Sequence, residues 1–154
     1  MKDTGVCRSA FARSTVLFTV AILFSPRLFA ANDSPLAGLE ENQAIAITID
    51  AEQLIELFQS VTELAIIDSR HHEDYIQGYI ETSVNLPLPE TDCKALSKLA
   101  KSTKQAIVFY CNNNSGDASI EAIQIASGCG YKRLFWFRGG FLEWKDKDYP
   151  YLIE

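Results

Sequence analysis

From Ile45 onward, short apolar runs alternate with amphipathic stretches, and the alternation predicts an α/β chain. Ile45–Ile49 (IAITI) reads as a short first strand. Asp50 then caps a helix through about Ser60, with Leu54, Ile55 and Phe58 expected on its buried face. Leu64–Ile67 (LAII) and Ala106–Tyr110 (AIVFY) are continuous apolar runs, the pattern of strands covered on both faces. Between them come a short helix near Glu73–Gln77 stopped by Gly78, a small strand Val84–Leu86 closed by Pro87, and a helix over Cys93–Lys101. A helix from about Ala118 to Ser127, a strand Leu134–Phe137 and a terminal helix around Phe141–Lys145 complete the series. Strands and helices alternating at this spacing imply βα units around a central, mainly parallel sheet. There is no internal repeat and no low-complexity segment.

The first thirty residues break this pattern. Lys2, Arg8 and Arg13 form a basic start, Val16–Phe24 (VLFTVAILF) is apolar except for Thr19, and Ala30–Ala31 offers a small-residue cleavage point. That order is the layout of a secretory signal peptide. The apolar run falls short of the roughly 20 residues needed to span a bilayer. Residues 1–30 are therefore expected to be removed on export, most simply to a bacterial periplasm, with an uncleaved membrane anchor as the alternative. Residues 31–44 read as a polar linker and 45–154 as one domain.

Removing residues 1–30 leaves ten basic side chains against nineteen acidic ones, a net charge of −9. Such a surface repels phosphate backbones, and no basic stripe with interleaved aromatics is present, so nucleic acid is not expected as a partner. Three cysteines remain (Cys93, Cys111 and Cys129), and their spacing holds no C-x-x-C. An exported protein meets an oxidising compartment, and an odd count leaves at least one thiol unpaired within the chain. Sequence leaves open whether Cys93 and Cys129 pair.

Cys111 carries the candidate chemistry. It stands at the carboxyl end of a predicted buried strand, before six small or polar residues and a helix start. Ligands in open α/β sheets bind beyond the carboxyl ends of strands. A tight loop feeding a helix points backbone N–H groups inward, and the helix terminus adds partial positive charge. Both are expected to favour a thiolate and lower its pKa.

At this point the chain resembles the rhodanese family of sulfurtransferases. Asp68-Ser69-Arg70, then Asp74-Tyr75, Gly78-Tyr79-Ile80 and Asn85-Leu86-Pro87, follow the family's D-x-R…E-[FY]-x-x-G-H-I…N-[IL]-P stretch. Gly139-Gly140…Trp144…Tyr149-Pro150 matches its closing signature, and Cys111 stands where the family places its sulfur-accepting cysteine. The resemblance implies a single rhodanese-like domain, a central mainly parallel sheet with helices on both faces. It also implies transfer of sulfane sulfur, from thiosulfate or a persulfide or polysulfide donor to a thiol or cyanide, through a Cys111 persulfide. A protein sulfur carrier could serve as partner, and no cofactor or metal is implied. The amides of Asn112, Asn113, Asn114, Ser115, Gly116 and Asp117 would cradle the sulfur.

The loop is similar to the longer C-N-G-P-x-C-x-[RK]-S variant of some exported rhodaneses. Here Gly116 replaces its second cysteine and Ala118 its basic residue. No Arg or Lys lies between Cys111 and Ile120, so a dianionic donor would need a cation from elsewhere. Arg138 is expected to supply it, with Arg70 either assisting or forming an ion pair within the fold. A C-x-x-x-x-x-R phosphatase loop is excluded, because Asp117 occupies the arginine position. Adjacent His71 and His72 point apart on a helix and are expected on the surface. Two other readings remain. One is a catalytically weak or silent module that binds a partner through the same pocket. The other is a redox sensor in which Cys93 or Cys129 resolves an oxidised Cys111.

Overall fold

A computed structural model describes residues 45–112 and 117–154. The expected signal peptide and linker lie outside the described residues, as do Asn113, Asn114, Ser115 and Gly116. The elements run β1 (Ile47–Ile49), α1 (Ala51–Ser60), β2 (Leu64–Asp68), α2 (His72–Tyr75), β3 (Val84–Asn85), a short 3-10 turn (Leu88–Glu90), α3 (Cys93–Leu99), β4 (Ala106–Tyr110), α4 (Asp117–Gly128), β5 (Arg133–Phe137) and α5 (Gly140–Asp146). Every strand pairing is parallel, in the order β1-β5-β4-β2-β3.

The central position of β4 explains its composition. All five of its residues are buried, because each face of the strand meets helices. Val108 and Tyr110 share one face with Ile66, Phe135 and Phe137, and pack against Leu54 and Leu57 of α1 and Phe141 and Trp144 of α5. Ile107 and Phe109 share the other with Ile67 and Leu134, against Leu96 of α3 and Ala122, Ile123 and Ala126 of α4. Alternate residues of one strand thus feed two cores. Helices on both faces are as expected.

The start of α1 sets its rotation. Asp50 accepts a hydrogen bond from Gln53 N at 2.9 Å while Gln53 Oε1 accepts from Asp50 N at 3.0 Å, a reciprocal cap. Ala51, directly after this cap, is fully buried, and Leu54 and Leu57 follow three residues apart. Phe58, expected to face inward, lies one position round the helix and is 37% exposed. Among the described residues no helix is long and apolar enough to cross a membrane.

Cys93, which opens α3, is bonded to Cys129, which follows α4, with their Cα atoms 5.4 Å apart. The bond ties together the two helices of one face across 36 residues. Reducing it, or replacing both cysteines with alanine, is expected to lower the unfolding free energy by about 2–4 kcal/mol. Urea melts read this directly, and an unchanged midpoint would show that the crosslink adds nothing.

Candidate active site

The site begins where β2 and β4 leave the sheet together. Asp68 is in register with Tyr110, and Ser69 N donates to Tyr110 O at 2.9 Å, so the two chains diverge side by side. Cys111 follows immediately. It is half-buried and, among the described residues, is the free cysteine. Cys111 lines a cavity of about 270 Å³. Ser69, Arg70, His71 and Asp74 line the cavity from the β2–α2 segment, and Leu88, Pro89 and Ala118 add apolar wall.

The backbone at Cys111 is held from behind by α5. Phe141 N donates to Cys111 O and Leu142 N to Asn112 O, each at 2.9 Å. In a trans peptide the C=O and the next N–H point in opposite directions. Drawing the Cys111 carbonyl toward α5 therefore turns the Asn112 N–H back toward the sulfur, where a main-chain hydrogen bond from Asn112 favours the thiolate. Gly140 makes this approach feasible. Its φ is +62°, and a Cβ there would stand 2.9 Å from the Asn112 carbonyl carbon and closer still to the Cys111 oxygen.

Arg70 joins the remaining parts. Its Nε donates to both carboxylate oxygens of fully buried Asp68 at 2.9 and 3.0 Å. Nη2 donates to Asp68 Oδ2 at 2.5 Å and to Gly78 O at 2.7 Å, while Nη1 reaches Asn112 Oδ1 at 3.4 Å. The guanidinium also lies over the Phe141 ring, 4.3 Å from its centroid. Burial alone would lower the Arg70 pKa, but hydrogen bonds and charge from Asp68 outweigh it and raise the pKa. Arg70 is thus both an ion-pair partner within the fold and part of the cavity wall.

Two expectations are corrected here. The Cys111 pKa is raised above that of an ordinary cysteine, not lowered. Burial is the main cause; the Asn112 amide opposes it, Asp68 reinforces it, Arg70 opposes it, and Asp74 reinforces it. Arg138, expected to supply the compensating cation, stands elsewhere. Its N donates to Ile49 O of β1 at 3.3 Å, on the side of β5 away from β4, and its side chain stacks near Trp136. With Asp50, Gln53 and Glu143 it lines a separate depression. Asp117, expected to offer its backbone amide to the sulfur, opens α4, and it is exposed and lines a depression along that helix, which leaves the role of its amide open.

Other residues fall as follows. His71 and His72 are exposed, and His71 also borders the cavity. Ser69, Asp74 and the Leu88–Pro89 turn belong to the site although the sequence reading gave them no role there. The middle position of the D-x-R motif was the available signal for Ser69. Tyr79, in the family's usual His position, stacks on Tyr75 with centroids 4.2 Å apart and bridges to Leu152. Among the described residues no three or more His, Cys, Asp or Glu side chains group to hold a metal ion.

The raised thiol has a measurable consequence. Alkylation of Cys111 by neutral iodoacetamide, followed by peptide mass, should climb with pH through an inflexion above that of ordinary cysteine. Asp74→Asn removes a charge that disfavours the thiolate and should move the inflexion down, raising the neutral-pH rate. An inflexion below the ordinary value and unmoved in the variant would show that burial and Asp74 do not govern this thiol.

Comparison with known proteins agrees with the geometry. The family described as "Rhodanese-like domain" matches residues 50–147. The "Rhodanese domain-containing protein CG4456" of Drosophila melanogaster is 35% identical over 98 residues, covering 56% of this chain and 86% of that protein. A "Sulfurtransferase" of Allochromatium vinosum is 28% identical over 102 residues, covering 66% of this chain and 91% of that protein. The crystal structure of thiosulfate sulfurtransferase from Pseudomonas aeruginosa superposes with a TM-score of 0.62 at 19% identity, over 70% of this chain and 20% of that one. The last is a likeness of fold alone. With its parallel sheet, its cysteine at the end of β4 and its matched length, the chain belongs to the rhodanese-like domain family of sulfurtransferases.

Proposed function

We propose that this protein carries sulfane sulfur as a persulfide on Cys111, taking it from a small donor and passing it to a thiol or cyanide. The observation that carries the reading is the setting of Cys111. It is a thiol at the base of a cavity beside Arg70, with its own carbonyl drawn away by α5. In the first step the Cys111 thiolate attacks the outer sulfur of R–S–S⁻ or thiosulfate. A bond forms between Sγ and that sulfur, and the donor's S–S bond breaks, releasing RS⁻ or sulfite. In the second step cyanide or a thiolate attacks the outer sulfur and leaves with it, returning the Cys111 thiolate.

The raised pKa leaves fewer thiolates at neutral pH, and the greater nucleophilicity of each offsets only part of that loss, because nucleophilicity rises with thiol pKa at a slope below one. Cavity charge favours a monoanionic persulfide donor over the thiosulfate dianion. Arg70 is paired with Asp68, and Asp74 adds a carboxylate to the wall that has no ion-pair partner among the described residues. The proposed setting is an exported, oxidising compartment, supported by the layout of residues 1–30 and by the Cys93–Cys129 bond. That bond also counts against the redox-sensor reading, since it occupies both resolving thiols.

Intact mass after incubation with 2-mercaptoethanol persulfide, and separately with thiosulfate, tests the reading. Wild-type protein should gain one sulfur and Cys111→Ala none. The monoanionic persulfide should load faster than dianionic thiosulfate, and Asp74→Asn should narrow the gap, since it removes a negative charge from the cavity wall. Failure of both donors to add sulfur would leave the silent binding module in its place.

A further inference from the structure

Ser69 presents an unexplained polar group. Its side chain is 3% exposed, and its Oγ is buried without a hydrogen-bond partner. The residues beside it differ in this respect: Asp68 holds Arg70, and Arg70 holds Asp68 and the Gly78 carbonyl. Buried hydroxyls in native proteins are normally paired, so an orphan invites a search for what pairs with it. Ser69 lines the same cavity as Cys111.

Strand register places the two side by side. Asp68 pairs with Tyr110, and the Ser69 N–H to Tyr110 carbonyl bond carries that register one step further, bringing Ser69 beside Cys111. Neighbouring strands lie about 4.8 Å apart. The unmodified thiol does not satisfy the hydroxyl. A sulfur bonded to Sγ would extend about 2.05 Å further into the cavity. Arg70 Nε and Nη2 are engaged by Asp68 and Gly78, and Nη1 reaches Asn112 Oδ1 at 3.4 Å, so the Ser69 hydroxyl is the donor here with no partner of its own among the described residues.

We propose that the Ser69 hydroxyl donates a hydrogen bond to the outer sulfur of the Cys111 persulfide. The inference rests on the persulfide reading above. Ser69 keeps its proton throughout. The bond made is from Cys111 Sγ to the incoming sulfur, and the bond broken is the donor's S–S bond, whose electron pair leaves with RS⁻. The ligand of the orphan hydroxyl is therefore an anionic sulfur that is present only in the loaded state.

Partition of sulfur between the protein and a neutral small thiol reads this directly. The full chain is equilibrated with 2-mercaptoethanol and its persulfide at fixed ratios, and bound sulfur is counted by intact mass. Ser69→Ala should reduce the loaded-to-unloaded ratio roughly tenfold, the scale of one hydrogen bond to a charged group. Its melting temperature should stay level or rise, because the variant removes an unpaired buried hydroxyl. Ser69→Thr, which keeps the hydroxyl, should restore loading. Wild-type partition in Ser69→Ala would overturn the role of Ser69 and leave the Cys111 persulfide standing. A variant that melts lower and loads less, without rescue by Ser69→Thr, would overturn it in favour of packing. A wild-type protein that takes up no sulfur at either ratio would remove both readings at once.

Discussion

Asp68 and Arg70 form an ion pair whose carboxylate is fully buried and whose guanidinium is 4% exposed, and the cavity is assembled around them. Such a pair is weak support for stability as a whole, because desolvation offsets much of the attraction. Losing one partner is another matter. It strands a charge in the interior at a cost of about 3–5 kcal/mol. That asymmetry makes the pair a constraint on geometry. Once Asp68 fixes Nε and Nη2, the guanidinium must also meet the Gly78 carbonyl, the Asn112 side chain and the Phe141 ring. Segments distant in sequence are thereby gathered at one point.

A second constraint comes from the opposite side of the loop. The first turn of α5 draws the carbonyls of Cys111 and Asn112 away from the cavity, and Gly140 lets the two backbones meet. Arg70 and α5 therefore hold Asn112 by its side chain and its carbonyl respectively. The orientation of the one described amide that faces the sulfur follows from both. It depends on residues 70 and 140–142 as much as on the loop itself.

Much of this was legible in the sequence, for reasons that can be named. Ala106–Tyr110 read as a strand covered on both faces from its unbroken apolar run, and Asp50 as the cap of a helix, and both stand in the fold. Cys111 stood out because it ends that strand. What escaped was lateral position. Arg138 adjoins the Gly139-Gly140 corner in sequence, yet its backbone pairs toward β1, while the cavity opens between β2 and β4. Strand order, which no local pattern encodes, decides the matter. The direction of the thiol's pKa escaped likewise. Amides and helix termini are visible in a loop's composition, whereas the burial that outweighs them, and the carboxylates of Asp68 and Asp74 around it, exist only once the chain is folded.

The raised thiol and the orphan hydroxyl bear on the same question. A site tuned to the free thiolate would hold its pKa down. Here burial raises the Cys111 pKa, and the hydroxyl beside it is unsatisfied. Oxidation to a sulfenic acid requires thiolate character, so a thiol with a raised pKa suits the oxidising compartment proposed for this chain. On the proposed reading the donors gain their partner only when sulfur arrives. Stabilisation then falls on the loaded state, and the resting enzyme carries the cost of an unpaired group. A sulfur carrier has to favour its cargo over its empty form, and the pairing of a buried thiol with a waiting hydroxyl does so without any added charge.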